Sequence, residues 1–293
     1  GVINIGETTN WKRSIVYSKK FKTNRGWENS KKVKNDNYPI NTTIKTEKDV
    51  AILNAQNPTI GVNFSANDFD GMTPPDNSIA ISNAGYIVSV QNSNLAYYTS
   101  SGLELSSTSF YDFFNGQFND MLYDPVVLYD SGADRFIITI LHGNSSTQSQ
   151  IITLFSSTNN PMDSWVWYAL DATTFLNSNS WFDYPKIGVS DGELFISGNM
   201  YSDDGEFEET IIIQLDKYDG YGGNSLSWGM WSNLSNSPHT LVPLSWGQEG
   251  NYGPGCLLVG VDFFYNNNGY LVYQITDTYE NATLNAYEIS YAF

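Results

Sequence analysis

Asp124-Pro125-Val126-Val127-Leu128-Tyr129-Asp130-Ser131-Gly132-Ala133-Asp134-Arg135-Phe136-Ile137-Ile138-Thr139-Ile140-Leu141 reads as two strands joined by a tight polar turn. The second strand decides the architecture. Successive side chains of a strand point to opposite faces, so a strand with one wet face alternates apolar and polar residues. Phe136–Leu141 does not alternate, and neither does Ile211-Ile212-Ile213. Continuous apolar runs of this length mean that both faces are covered. Sheets stacked side by side, each between two neighbours, meet that demand; a two-sheet sandwich is the competing arrangement.

The same plan occurs three times: an Asp with a nearby Pro, an apolar strand, a tight turn, a second strand and then a third. The first copy runs from Pro74-Pro75-Asp76 through Ser78–Ser82, Tyr86–Gln91 and Leu95–Thr99. The second runs from Asp124-Pro125 through Val126–Tyr129, Arg135–Leu141, Gln150–Phe155 and Trp165–Leu170. The third runs from Asp183-Tyr184-Pro185 through Lys186–Ser190, Leu194–Ser197 and Thr210–Leu215. A less regular fourth unit begins near Pro238-His239 and includes Cys256–Phe263, Gly269–Ile275 and Thr283–Tyr291. The marker aspartates lie 48 and 59 residues apart, somewhat more than the roughly 40–50 residues of common propeller blades. The reading is all-β: a β-propeller of four-stranded blades, short or part of a larger one, over residues 61–293. Residues 1–60 form an irregular basic leader or strap that wraps this body or supplies a strand to it.

Composition agrees. Aromatic residues make up 15% of the chain, with 20 Tyr, 16 Phe and 8 Trp, and flat bulky side chains suit pleated surfaces. The net charge of −17 excludes a nucleic-acid partner, whose phosphates need a positive surface. Charge is unevenly spread, because 11 of the 14 Lys and Arg lie at or before Lys48. The remainder carries 3 basic and 27 acidic residues, a body near −24 across which a basic leader can lie. Cys256 is the only cysteine, so no intrachain disulfide forms. No apolar run is long enough for a membrane span. Gly1 opens the chain without a charged and then apolar leader, so any signal peptide has already been removed.

Three motifs carry a family resemblance. Asn63-Phe64 with Asp70-Gly71-Met72-Thr73-Pro74-Pro75-Asp76-Asn77-Ser78-Ile79-Ala80-Ile81-Ser82 resembles the first blade of exported propeller proteins of Bacteroidetes. Asp124–Asp130, closed by Ala133-Asp134-Arg135-Phe136, is similar to that family's second blade, and Asp183–Val189 to its third. His239 with Leu241-Val242-Pro243 is loosely similar to a later segment. The resemblance implies export, often through the type IX system, and an extracellular or cell-surface, adhesin-like role. No type IX sorting domain is evident at the C-terminus.

Asp76, Asp124 and Asp183 take similar positions at the start of the innermost strands. There they accept hydrogen bonds from free backbone N–H groups or, around a central channel, hold Ca²⁺. Asp68 and Asp70, with Asn67 and Gly71, form a second, partial calcium loop lacking the later bidentate Glu. Catalytic signals are sparse. Of three arginines, Arg13 and Arg25 sit in the leader, which leaves no cluster for sialidase chemistry. Only His142 and His239 could serve as bases, and no Gly-x-Ser-x-Gly elbow occurs.

The sequence therefore points to a non-enzymatic surface module that binds protein or glycan. A glycoside hydrolase or lyase on the same fold is the alternative, and a component of an export or outer-membrane adhesion assembly is a third. Two acids beside an aromatic platform would favour the enzyme. The strap reading has a direct test: cleavage after Lys48 should lower the melting temperature or weaken partner binding, and no change in either sinks it.

Overall fold

The computed structural model describes residues 2–3, 61–67, 71–92, 94–176, 179–236, 238–244, 253–261 and 269–290. Strand β1 (Val2–Ile3) stands apart at the start of the chain. Sheet one holds β2 (Ser78–Ile81), β3 (Tyr86–Gln91), β4 (Asn94–Thr99) and β5 (Glu104–Ser109). Sheet two holds β6 (Leu122–Asp130), β7 (Arg135–Ser145), β8 (Gln148–Ser156) and β9 (Trp165–Asp171). Sheet three holds β10 (Ser180–Val189), β11 (Glu193–Ser202), β12 (Phe207–Asp216) and β13 (Trp228–Trp231). Sheet four holds β14 (His239–Pro243), β15 (Cys256–Val261), β16 (Gly269–Ile275) and β17 (Leu284–Ser290). Each is an antiparallel meander in chain order, and β1 adds a fifth strand to sheet two by pairing with β9. The sheets pack in sequence, with β6 lying against β2 and β10, and β14 against β10. This is the all-β arrangement of propeller blades.

The non-alternating strands divide by parity between two interfaces. From β7, Phe136, Ile138 and Ile140 pack towards sheet one against Val88, Val90 and Tyr97. From the same strand, Ile137 and Leu141 pack towards sheet three against Ile196, Ile211 and Ile213. Strand β12 does the same one sheet on, because Ile212 joins Leu258, Leu271 and Tyr273 between sheets three and four. All three β7 isoleucines are fully buried, each contributing about 1.5–3 kcal/mol of transfer free energy. Trp165 fills the gap between sheets one and two, stacked on Tyr97 at 6.4 Å between centroids, with its indole N–H donating to the Pro161 carbonyl.

Two positions correct the reading of the repeats. Asp124 and Asp183 do not precede their strands: β6 starts at Leu122 and β10 at Ser180. Asp124 lies within a β-bulge and Asp183 directly before one, since the register slips between Tyr123 and Val126 and between Asp183 and Lys186. Pro125 and Pro185 sit inside those bulges, where no ladder N–H is required. The registers also show that Asp183 matches Tyr123, so Asp124 matches Tyr184. Asp124 and Tyr184 both have positive φ, +50° and +59°, as do Asp76 at +41° and Thr240 at +61°. β14 carries the same bulge between His239 and Val242. The polar edge strand β5 and the short β13 were not legible as strands.

At the far end of the innermost strands a buried ion pair joins sheets two and three. Helix α1 (Phe110–Phe113) follows sheet one, and helix α2 (Lys217–Gly222) follows β12. Asp216 caps α2 by accepting from the Tyr218 and Asp219 N–H groups. Lys217 Nζ lies 2.8 Å from Asp130 and donates to the Ser190 carbonyl at 2.6 Å. Asp130 also accepts from the Tyr221 hydroxyl and the Gly132 N–H. The helix sits so close to sheet two that a Cβ on Gly220 would fall 2.4 Å from the Phe155 ring. Removing one partner of such a pair strands a buried charge. Lys217→Met is therefore expected to destabilise the chain by about 3–5 kcal/mol in urea unfolding, and a change below about 1 kcal/mol would refute this role.

Candidate functional site

The bulges decide what gathers at the N-terminal ends of the innermost strands. A residue at positive φ turns its N–H out of the ladder, and that donor needs an acceptor when it is buried. Asn92 supplies one, its side-chain oxygen accepting from the Asp124 N–H at 2.7 Å. Asn199 supplies the equivalent for the Thr240 N–H at 3.1 Å. Each lies two residues past the partner of the residue that closes the bulge region, as the pairs Ser78 with Val90 and Lys186 with Ser197 show. In sheet two that position is Leu141, since Val126 pairs with Thr139. Leucine cannot accept, and here Asp183 does so itself, taking the Tyr184 N–H at 2.9 Å. Asp183 thus replaces an absent asparagine.

These demands bring the three marker aspartates together. Asp76 accepts from Asn92 Nδ2 at 2.7 Å. The Asp124 carboxyl is near enough to both Asp76 and Asp183 for each to act on its charge. Desolvation, followed by the charges of Asp183 and Asp76, pushes Asp124 up to about 8. Desolvation also raises Asp183 to about 6, although the Tyr184 N–H and the Lys186 charge oppose it. Burial pulls the Lys186 ammonium down, against the three aspartates that favour its charge. Lys186 Nζ stands 3.3 Å from the centroid of the Tyr184 ring and donates to the Pro185 carbonyl at 3.1 Å. Tyr184 is 49% exposed.

Beside this cluster runs a row of aromatic rings. Trp181 and Tyr201 are 5.7 Å apart, Tyr201 and Phe207 6.0 Å, and Phe207 and His239 4.8 Å. The Tyr201 hydroxyl lies 3.3 Å from His239 Nε2 and accepts from Asn199 Nδ2. Burial raises Tyr201 to about 12 and lowers His239, so both are neutral at pH 7. His142 belongs elsewhere: it is buried against Phe118, with its ring nitrogens bonded to the Asp120 N–H and Gln150. The acidic turn at 203–209 ties two hairpins together, because Asp203 accepts from the Ser146 N–H and hydroxyl.

Of the carboxylates expected to hold calcium, Asp76, Asp124 and Asp183 converge, whereas Asp68 and Asp70 lie outside the described residues. Among the described residues no group of three or more His, Cys, Asp or Glu is arranged to hold a metal ion. Lys186 supplies a positive charge beside the three carboxyls. Asn92, Asn199, Tyr184 and Lys186 were missed as site residues. Their only signal is the strand register, which the sequence does not print.

No family model and no curated protein matches the chain. Among solved structures it is similar to a subtype N11 neuraminidase-like protein of a flat-faced bat influenza virus (H18N11) from Peru, at 12% identity and a TM-score of 0.40, covering 72% of this chain and 59% of that one. It is similar to a protein of unknown function from Bacteroides caccae at 10% identity and 0.35, covering 73% and 60%. A family 117 glycoside hydrolase of the marine bacterium Zobellia galactanivorans matches at 11% identity and 0.42, covering 74% and 70%. The chain spans about three-fifths of the first two. At such identities and TM-scores these likenesses assign no activity to it.

The cluster has a pH signature. Folded Asp124 keeps its proton up to about pH 8, whereas an unfolded Asp releases it near pH 4. Stability is therefore present below pH 4 and falls as pH rises towards 8. Asp124→Asn keeps the shape and removes the charge. It is expected to stabilise the chain at pH 8.5 by about 1–2 kcal/mol, after screening by the water that reaches this half-buried group, and to be neutral at pH 4. Equal effects at the two pH values would show that folding does not raise the Asp124 pKa.

Proposed function

We propose that the chain is a non-catalytic binding module that recognises a glycan at the Asp76–Asp124–Asp183–Lys186 cluster, with Tyr184 as its aromatic contact. One observation carries the reading: three acids, one ammonium and a half-exposed tyrosine ring converge at one end of the innermost strands. Sugar hydroxyls need paired donors and acceptors, which the carboxyls and Lys186 supply, and the sugar's C–H face packs on an aromatic ring. A location outside the cell follows from the resemblance of the three motifs to exported propellers of Bacteroidetes. Attachment to an export or adhesion assembly would be compatible with the same site.

A second reading, glycoside hydrolysis, is favoured by the protonated Asp124, since a general acid must hold its proton at neutral pH. Two-carboxylate hydrolysis would need two of these acids about 5 Å or more apart across the scissile bond. Titration of the chain with a panel of neutral and acidic oligosaccharides, calcium chloride in a parallel arm, tests both readings. Binding of at least one oligosaccharide is expected, weakened about tenfold or more by Tyr184→Ala, as for loss of a stacking contact of about 1.4 kcal/mol. Binding by none sinks the glycan reading. Release of new reducing ends, abolished by Asp124→Asn, would establish hydrolysis instead.

A further inference from the structure

Past Lys48 the chain has three basic residues, Arg135, Lys186 and Lys217. Lys217 is committed to Asp130, and Arg135 donates to the Asp134 carbonyl in the turn after β6. Among the described residues, Lys186 is therefore the cation left for Asp76, Asp124 and Asp183, each of which acts on its charge. Its ammonium lies over the Tyr184 ring and donates to the Pro185 carbonyl. A sugar cannot pack on that face of the ring while the ammonium covers it. Burial disfavours the Lys186 charge here, so an ammonium that leaves for water regains hydration.

The register shows what can serve the Pro185 carbonyl when Lys186 leaves. The slips in β10 and β14 make Tyr184-Pro185 equivalent to Thr240-Leu241. On the preceding sheets, Thr139 pairs with Val126 and Ser197 with Lys186, each the residue that closes its bulge. Thr139 is thus the equivalent of Ser197, whose hydroxyl donates to the Leu241 carbonyl of the next sheet. Thr139 lies between Ile137 and Leu141 on the side of β7 that faces sheet three. It is fully buried, and among the described residues its hydroxyl has no hydrogen-bond partner. Such burial of an unpaired hydroxyl is unfavourable. By the repeat, its acceptor is the Pro185 carbonyl, which Lys186 occupies.

We propose that the cluster prefers a glycan bearing a free amino group, whose ammonium replaces Lys186 on the Tyr184 ring while the Thr139 hydroxyl takes over the Pro185 carbonyl. This rests on the glycan reading of the same site. The position already holds an ammonium over an aromatic face, the arrangement by which rings bind cations. Three carboxyls beside one ammonium draw in further positive charge. A sugar ammonium suits a site walled by a ring better than Ca²⁺, which takes about six to eight oxygen ligands.

Calorimetric titration of the full chain at about pH 6, with a glucosamine oligosaccharide and its N-acetylated counterpart, tests this. The free amine is expected to bind about tenfold more tightly, an advantage that shrinks in about 0.5 M salt. Equal affinity for the two, or binding of neither, overturns the amine preference; the glycan reading falls only if the neutral and acidic oligosaccharides fail as well. Lys186→Met removes the competing ammonium and should tighten binding of the amine without tightening that of the N-acetylated sugar; weaker binding of both would mean that Lys186 itself holds the ligand, and would refute displacement. Thr139→Val should weaken amine binding about threefold in the wild-type background and leave it unchanged in Lys186→Met, a dependence that a merely structural threonine would not show. Thermal melts establish that the variants fold, and if Lys186→Met does not, the comparison of the two sugars on the wild type decides alone.

Discussion

Ile137 and Ile138 are neighbours in one strand, point to opposite sides of sheet two, and are both fully buried. That constraint organises the molecule. A sheet that must hide both faces needs a neighbour on each side, and each neighbour inherits the same requirement. The chain meets it by placing one meander against the next, so that β7 and β12 each contribute to two separate cores. Among the described residues, apolar side chains of β2, β14, β16 and β17 are exposed at the two ends of the stack.

Stacking has a second consequence near the innermost strands. The bulges in β6, β10 and β14 turn backbone N–H groups away from their own ladders, and acceptors must come from elsewhere. Two asparagines on the preceding sheets do this for Asp124 and Thr240, and they tie each sheet to the next as they do so. Where Leu141 stands instead, Asp183 takes over locally. That substitution puts a third carboxyl beside Asp76 and Asp124, with the Lys186 ammonium next to all three. An electrostatic feature thus follows from a backbone need.

Much of the framework was legible. Alternation, or its absence, located most strands of the four sheets, and the Asp/Pro markers identified three of the four innermost strands. The misses have physical causes. The polar edge strand β5 lacks a continuous apolar pattern because most of its side chains are only partly buried. Strands β6 and β10 start earlier than expected, because Pro125 and Pro185 look like boundaries and are instead bulge residues. The apparent repeat of aspartates also hid a one-residue offset, since chemically alike residues can sit at unlike backbone positions.

By itself the sequence determined the all-β class, the four-unit plan, the double-sided burial of β7 and β12, and the acidic body. These depend on local periodicity and composition. Only the tertiary structure decided that Asp76, Asp124 and Asp183 come together and that Asn92 and Asn199 serve the next sheet's bulge. Those facts depend on strand register and on the order of packing. Register is a relation between distant segments, and a one-residue slip moves every side chain to the other face of its sheet.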